Sequence, residues 1–423
     1  MKITTIGLGY IGFSTAVLFA KQGHEVVGVD VNKHIVERLS RGTVHLEEPG
    51  LQELYREVLA VGEFSVSQKP CTSDAFIIAV PTPNKDDTYK SCDLSYVVAA
   101  VKSVIPHLEK GNLLIIESTI APRTMEDVVQ PMIQAAGFTV GVDVYLAHCP
   151  ERVLPGNIAY ELVHNPRIIG GVTPACTEKV KRLYATVVQG ALISATASEA
   201  ELSKLMENTF RDVNIALANE LVKIGGDLQI DALKVIEMAN NHPRVNLHAP
   251  GPGVGGHCLA VDPYFVAAAV PNLSPLIQTA RAINTSMPDY VVALTEKLMR
   301  DAPTKKIAVF GLTYKGNIDD TRESPAMEIV SLLEAQGYDV AKYDSHVAGG
   351  ISTMEEACAG SSLILVLTDH AEFIDIAKGV TAKMALPRLL DTKNSVKTTA
   401  ADVLYMDFGN VHLYTQTREI ASI

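Results

Sequence analysis

Between Lys2 and Asp30 the chain sets a run that reads as a short buried strand (Lys2 to Ile6), a glycine turn (Gly7-Leu-Gly9-Tyr-Ile-Gly12), and a stretch from Phe13 to Gln22 that reads as a helix stopped by Gly23. A second apolar run, Glu25-Val-Val-Gly-Val-Asp30, ends in an acid. Strand, tight turn, helix and strand within about 30 residues constrain the chain to a β-α-β unit. The glycines permit the turn and let a pyrophosphate approach the helix N-terminus, whose unpaired N–H groups attract negative charge. Asp30 lies 18 residues after Gly12, placed to accept hydrogen bonds from a ribose, and no Arg follows closely to receive a 2′-phosphate. The expected cofactor is NAD rather than NADP.

Further buried strands are expected at Asp74 to Val80, Leu113 to Glu117 and Val144 to Ala147. Their ends carry Pro81-Thr82-Pro83, Ser118-Thr119 and Cys149-Pro150-Glu151-Arg152, and doubly wound sheets bind ligands at such ends. After the linker-like Asp301 to Lys306 the pattern repeats: strand Lys306 to Phe310, Gly311, a helix from about Ser324, and strand Asp339 to Tyr343 ending in Asp344. Leu363 to Leu367 and Leu389 to Asp391 read as more strands of that sheet. The expected fold is α/β, with two Rossmann-like doubly wound parallel-sheet domains (1–197 and 301–423) joined by a central helical region (198–300).

The formal net charge of −12 and the lack of a basic cluster argue against a nucleic-acid surface. Cysteines 71, 92, 149, 176, 258 and 358 form no C-x-x-C pair, which suggests reduced thiols in the cytoplasm rather than disulfides or a zinc cluster. No apolar run approaches the roughly 18 residues of a membrane span. Lys2 and the apolar stretch to Ala20 match the outline of a signal peptide, but glycines at phosphate-loop spacing argue for a folded strand and helix.

In the central region Ser198-Glu-Ala-Glu201 reads as a capping box before a long helix. Leu202, Leu205, Met206, Thr209, Val213 and Ala216 form one stripe, and Lys204, Asn208 and Arg211 share another face at i, i+4 and i+7. A helical stretch is also expected from Leu276 to Arg300. Between them Pro250 to Pro263, PGPGVGGHCLAVDP, sets Cys258 after Gly251, Gly253, Gly255 and Gly256, a setting that favours a reachable thiol. A simple alcohol dehydrogenase has no use for a thiol, since a general base suffices. A thiol becomes useful when an aldehyde is oxidised again, through a thiohemiacetal that loses a hydride and a thioester that water opens. Lys204 and Asn208 are then candidates to stabilise the oxyanion, and Glu151 and Asp262 are candidate bases for water. Adjacent His257 and Cys258 leave a zinc ligand set incomplete, so no metal is expected. A hydroxy-acid dehydrogenase would leave Cys258 and the second α/β domain unexplained, and a non-enzymatic NAD sensor would leave the Lys204, Asn208 and Cys258 set unexplained.

Through GLGYIG, AVPTP, EST, CPERVLPG, KLMENTFRDVNIALANEL, GPGVGGHCLAVDP and GLTYKGNIDDTRESPA the chain resembles the UDP-glucose/GDP-mannose dehydrogenase family over nearly its whole length. The resemblance implies a homodimer built on the central region, and two hydride transfers to successive NAD molecules. It implies Cys258 as nucleophile, Lys204 as acid/base and oxyanion partner, and Glu151, Asp262, Asn208 and Thr119 as water-activating and polar support positions. NAD contacts would fall on Tyr10, Ile11, Asp30, Thr82, Thr119 and Arg322. Sugar-nucleotide contacts would fall on Arg152, Val153, Lys204, Asn208, Arg211, His242, Arg244, Gly255, Tyr314 and Lys315, with Arg244 lent by the neighbouring subunit. Glucose-specific members tend to PEFLAEG-like and GGYCLPKD-like segments. Here CPERVLPG, NNHPRVN and GGHCLAVDP most resemble members that act on an N-acetylated sugar, UDP-N-acetyl-D-mannosamine, with its N-acetylglucosamine epimer a nearer alternative than UDP-glucose.

Overall fold

Lys2–Ile6 (β1) and Glu25–Val29 (β2) pair in parallel, Ile3 opposite Val26 and Ile6 opposite Val29, with the helix Tyr10–Lys21 as their crossover. The computed structural model describes residues 1–46, 48–153, 156–351 and 353–415; Leu154 and Pro155 of the CPERVLPG segment lie outside them. Adding Phe64–Ser67 (β3), Ala75–Ile78 (β4), Leu113–Ile116 (β5), Tyr145–His148 (β6), Arg167–Gly171 (β7) and Leu192–Thr196 (β8) gives one sheet in the order β3-β2-β1-β4-β5-β6-β7-β8. The first six strands are parallel in the doubly wound 3-2-1-4-5-6 order. β7 then runs antiparallel to β6, and β8 parallel to β7. Strand alternation feeds two cores: Ala75 and Ile77 join Phe13, Val17 and Tyr55, while Phe76 and Ile78 join Val97, Val101 and Met125.

The chain divides into two compact units, one of Met1–Glu207 with Tyr264–Pro271, the other of Asn208–Pro263 with the chain from Asn272 onward. In the second, Lys306–Phe310 (β9), Asp339–Tyr343 (β10), Leu363–Val366 (β11), Arg388–Asp391 (β13) and Leu404–Asp407 (β15) form a parallel sheet in the order β10-β9-β11-β13-β15. Asp375–Ile376 (β12) and Thr398–Thr399 (β14) make a separate short pair. Two doubly wound parallel sheets are thus present as expected. The second is wound 2-1-3-4-5 by strand appearance, the other common order for such sheets. It repeats the first unit's turn in detail. Leu8 N–H donates to Asp30 Oδ2 at 2.9 Å and Leu312 N–H to Asp344 Oδ2 at 2.7 Å, each an acid closing a strand beneath a glycine turn.

Among the described residues the α-helices of the central region are Ala197–Leu228, Ala232–Asn240, Asp262–Ala269, Pro275–Thr285 and Met287–Leu298, and the candidates Lys204, Asn208, Arg211 and Asp262 lie on them. The capping box differs from the expected one. Thr196 N–H donates to Glu199 Oε2 at 2.8 Å, and Glu199 N–H donates back to Thr196 Oγ1 at 3.3 Å. Glu201 instead accepts the N–H groups of Arg123 (2.6 Å) and Met125 (2.8 Å) and is fully buried. Both Thr196 and Ser198 stand three residues before a Glu, and burial of Glu201 decides between them. The stretch expected from Leu276 to Arg300 is two helices that break at Ser286, because Pro288 has no N–H to continue the ladder. Among the described residues no helix is long and apolar enough to cross a membrane.

Candidate active site

In the first unit the glycine turn is shaped for a close-lying ligand. Gly7 sits at φ +90, and a Cβ there would lie 2.4 Å from the Ala79 carbonyl oxygen; one on Gly12 would lie 2.0 Å from that of Gly7. Gly9 faces open space and immediately precedes the first turn of Tyr10–Lys21, leaving that helix's N–H groups without a side-chain cap. Tyr10 and Ile11 are half-buried there. Half-buried Asp30 is held from below, its Oδ1 accepting Asn32 N–H at 2.8 Å as its Oδ2 accepts that of Leu8. An uncapped helix start, a backbone open to approach and an acid at the second strand's end fit NAD. A Gly7→Ala variant raises the NAD Kd by about tenfold or more, since positive φ alone costs a side chain about 1–2 kcal/mol. Calorimetric titration returning the wild-type Kd would contradict that.

The loops after β4 and β5 meet. Thr82 Oγ1 donates to the Thr119 carbonyl at 2.6 Å, and Ser118 Oγ to that of Val80 at 2.7 Å. After β6, Glu151 Oε1 lies 3.6 Å from Lys204 Nζ, with Lys204 buried, while Glu151 Oε2 accepts Val153 N–H at 2.9 Å. Arg152 is already engaged: Nη1 donates to Glu207 Oε1 at 2.9 Å and Nη2 to the Pro166 carbonyl. Neighbouring Cys149 is fully buried, which pushes its thiol up to about 12 and leaves it inert.

In the second unit Cys258 is only partly buried, whereas Cys92, Cys149, Cys176 and Cys358 are buried; Cys71 is the other half-exposed thiol. The glycines before Cys258 admit the GLTYKG loop. A Cβ on Gly256 would lie 2.7 Å from the Tyr314 ring, and one on Gly255 would lie 2.4 Å from the Glu323 carbonyl oxygen. Gly256 N–H donates to the Arg322 carbonyl at 3.1 Å. After the thiol the backbone turns at once into helix: Asp262 N–H donates to the Cys258 carbonyl at 2.8 Å, and Asp262 opens Asp262–Ala269. Asp262 and Asn208 are both buried, and Asn208 Nδ2 donates to Asp262 Oδ2 at 2.6 Å.

Not every candidate joins such a cluster. On the helix Ala197–Leu228, Lys204 and Asn208 are buried, but Arg211 is exposed, and the buried polar residue one turn beyond Asn208 is Asp212. The apolar stripe splits likewise: Leu205, Thr209 and Ala216 are buried, Leu202 and Met206 exposed. His242 and Arg244 are exposed, linked to each other by Arg244 N–H to His242 Nδ1 at 3.3 Å, and Lys315 is exposed. Arg322 forks onto Asp320 (Nε to Oδ1 2.9 Å, Nη2 to Oδ2 2.6 Å) and donates to His257 Nδ1 at 3.1 Å, beside Cys258. Its partner acid was legible two residues upstream in IDDTR; the Glu207 partner of Arg152, 55 residues away, carried no such signal.

Residues 1–188 match the NAD binding domain of the UDP-glucose/GDP-mannose dehydrogenase family, 198–286 its central domain and 308–398 its UDP binding domain. The chain is similar to the UDP-N-acetyl-mannosamine dehydrogenase structure from Staphylococcus aureus, with 55% identity, 98% of this chain and 100% of that one covered, and a TM-score of 0.92. It is 45% identical to the UDP-N-acetyl-D-mannosamine dehydrogenase of Methanocaldococcus jannaschii over 93% of this chain and 92% of that protein. It is 43% identical to the NDP-N-acetyl-D-galactosaminuronic acid dehydrogenase of Ralstonia nicotianae over 88% of this chain and 91% of that protein. A glycine turn built for a dinucleotide, a second doubly wound sheet and matches along most of the chain agree: it belongs to the UDP-glucose/GDP-mannose dehydrogenase family, an NAD-dependent dehydrogenase of nucleotide sugars.

Proposed function

We propose that this enzyme oxidises the C6 alcohol of UDP-N-acetyl-D-mannosamine to the carboxylate in two steps, the second through a covalent adduct on Cys258. The observation that carries the mechanism is the half-buried thiol at the end of a glycine-rich loop, with the bonded Asn208–Asp262 pair closing that loop. The sugar is supported by the names of the two UDP-N-acetyl-mannosamine dehydrogenase relatives.

Bound NAD supplies the two-electron acceptor for each oxidation, held by Gly7, Gly9, Tyr10, Ile11, Gly12, Asp30, Thr82 and Thr119, with Arg322 a further contact. Lys204, in its neutral form, takes the proton of the C6 hydroxyl in the first step. The Cys258 sulfur then bonds to the aldehyde carbon while the carbonyl electron pair moves to oxygen, where Lys204 and Asn208 stabilise it and a proton completes the thiohemiacetal. Once its hydride and its hydroxyl proton have gone, the carbon is a thioester. Water gives a proton to Glu151 or Asp262 as its oxygen bonds to the carbon; the carbon–sulfur bond breaks and the thiol is restored. Thr119 is assigned a supporting polar role. Arg152, Val153, Arg211, His242, Arg244, Gly255, Tyr314 and Lys315 are assigned to the sugar nucleotide, Arg244 from a second subunit. Regions 1–197, 198–300 and 301–423 are assigned to NAD, to dimerisation with the cysteine loop, and to UDP. Free cysteines throughout support a cytoplasmic setting.

A homodimer is supported by Leu202, Met206, Phe210, Leu217, Ile224 and Leu228, all exposed and spaced by four or seven residues along Ala197–Leu228. Light scattering is expected to give twice the 45.5 kDa chain mass, and Phe210→Asp to shift it toward one chain. A wild-type protein at single-chain mass contradicts the dimer. The substrate is tested by kcat/KM on UDP-N-acetyl-D-mannosamine, UDP-N-acetylglucosamine, the galactosamine epimer and UDP-glucose. The mannosamine sugar is expected to lead by about 10²-fold or more, the discrimination a shaped pocket reaches between close analogues; preference for another sugar keeps the chemistry and discards this substrate.

A further inference from the structure

Behind the cysteine loop lies a set of buried polar side chains that no step above uses. Asp212, Asn219, Arg281 and Asn284 are 0%, 0%, 4% and 1% exposed. Asp212 Oδ1 accepts from Arg281 Nη1 at 2.6 Å and from Asn284 Nδ2 at 2.7 Å, and the Asp212 main-chain carbonyl accepts from the same Asn284 nitrogen at 3.0 Å. Asn284 Oδ1 accepts from Asn219 Nδ2 at 2.9 Å. The chain of bonds ends on the loop itself, where Asn219 Oδ1 accepts Gly251 N–H at 2.9 Å. A second branch reaches it too, Arg281 Nη1 lying 3.4 Å from the Leu259 carbonyl, one residue after the thiol.

Replacing a buried ion pair by apolar residues of similar volume is often neutral or stabilising, so stability alone does not call for this set. What a connected polar network adds is one defined geometry. Here it grips the loop at Gly251 before the thiol and at Leu259 after it, while Asn208 holds Asp262 at the exit. Between those grips stand Gly253, Gly255 and Gly256, residues that confer no stiffness of their own. The two ends of the loop are therefore held from behind, by helices Ala197–Leu228 and Pro275–Thr285, while Gly256 N–H between them is held by the Arg322 carbonyl.

We propose that Asn219 and Asn284 are positioning residues for Cys258: with Asp212 and Arg281 they hold the glycine-rich loop so that the thiol has a single attacking position. The proposal rests on the reading of Cys258 as nucleophile. It separates the two oxidations, because the first needs no sulfur and the second begins with a carbon–sulfur bond.

The test uses the full-length enzyme with NAD and follows NADH in single turnovers, starting either from the UDP-sugar alcohol or from its 6-aldehyde. In Asn219→Ala, aldehyde oxidation is expected to fall by about 10²-fold, the cost of a misplaced reacting group. The first oxidation and the KM for the sugar should stay within a few-fold. Asn284→Ala should show the same split, and the double variant should be no worse than the weaker single, since both act through one chain of bonds. Should either alanine variant not accumulate as folded protein, Asn219→Ser and Asn284→Ser make the same comparison, with thermal unfolding recorded alongside. Both oxidations falling together in proportion to lost stability, or aldehyde oxidation at the wild-type rate, overturns the proposal. Cys258→Ala run in parallel separates the two ideas. Acid from that variant sinks the nucleophile and the positioning role with it; no acid from it, together with wild-type aldehyde oxidation in Asn219→Ala, sinks the positioning role alone.

Discussion

In a Cys258→Ala variant, acid production falls by about 10³-fold or more, as when a covalent nucleophile is removed, while NAD binding stays at the wild-type level. The glycine turn belongs to the first unit and the thiol's loop to the second, so the change replaces no residue of the dinucleotide cradle. Alanine also fits the site: Cys258 is partly exposed and its backbone, which accepts Asp262 N–H, is retained. What disappears is the only group proposed to hold the aldehyde carbon for its second oxidation. Chromatography of the products, with NAD titration on the same sample, reads both halves. Acid at the wild-type rate would mean that the aldehyde is oxidised as its hydrate and that the thiol is idle.

Loss of Arg167 is expected to be the most damaging single change to stability. Its guanidinium starts β7 at 5% exposure, donates to Glu117 and to the Cys149 carbonyl (2.8 Å), and shares Glu117 with the Tyr184 hydroxyl (2.6 Å) and the Thr15 hydroxyl (3.1 Å). Burial, and then the charge of Glu117, raise the Tyr184 phenol well above its ordinary value, so it remains a donor. Arg167→Met leaves the fully buried Glu117 carboxylate without its countercharge, a cost of about 3–5 kcal/mol. Adding Glu117→Met should recover part of that, since the uncompensated charge goes, though Tyr184 and Thr15 lose their acceptor. Urea unfolding of the two variants measures it. A loss below about 1 kcal/mol would rank this pair with exposed ion pairs and contradict the account.

The same residues show what the sequence could and could not disclose. β2, β4, β5 and β6 were legible because strands buried on both faces read as largely apolar runs, and β1 because the glycine turn follows it at once. β7 was not, since it opens on a charged residue whose partner, Glu117, lies 50 positions upstream. β8 was missed because most of its residues are not buried, and β15 because only one of its four residues is buried. Spacing placed Lys204 and Asn208 on one buried face, but it could not tell Arg211 from Asp212 as the next member, which tertiary pairing with Arg281 decides. Likewise Arg322 was legible as a cation beside Asp320 and not as a partner of His257, a contact between two loops 65 residues apart. The loop chemistry around Cys258 was legible from its glycines; the network that grips it, from helices on either side in sequence, was not.

The most direct test of four-electron chemistry is the NADH formed per UDP-N-acetyl-D-mannosamine consumed by the purified protein. Two NADH per sugar, with the uronate as product, is the result the account predicts. One NADH per sugar, with aldehyde released, would mean that oxidation stops before any thioester forms, and would contradict the role given to Cys258.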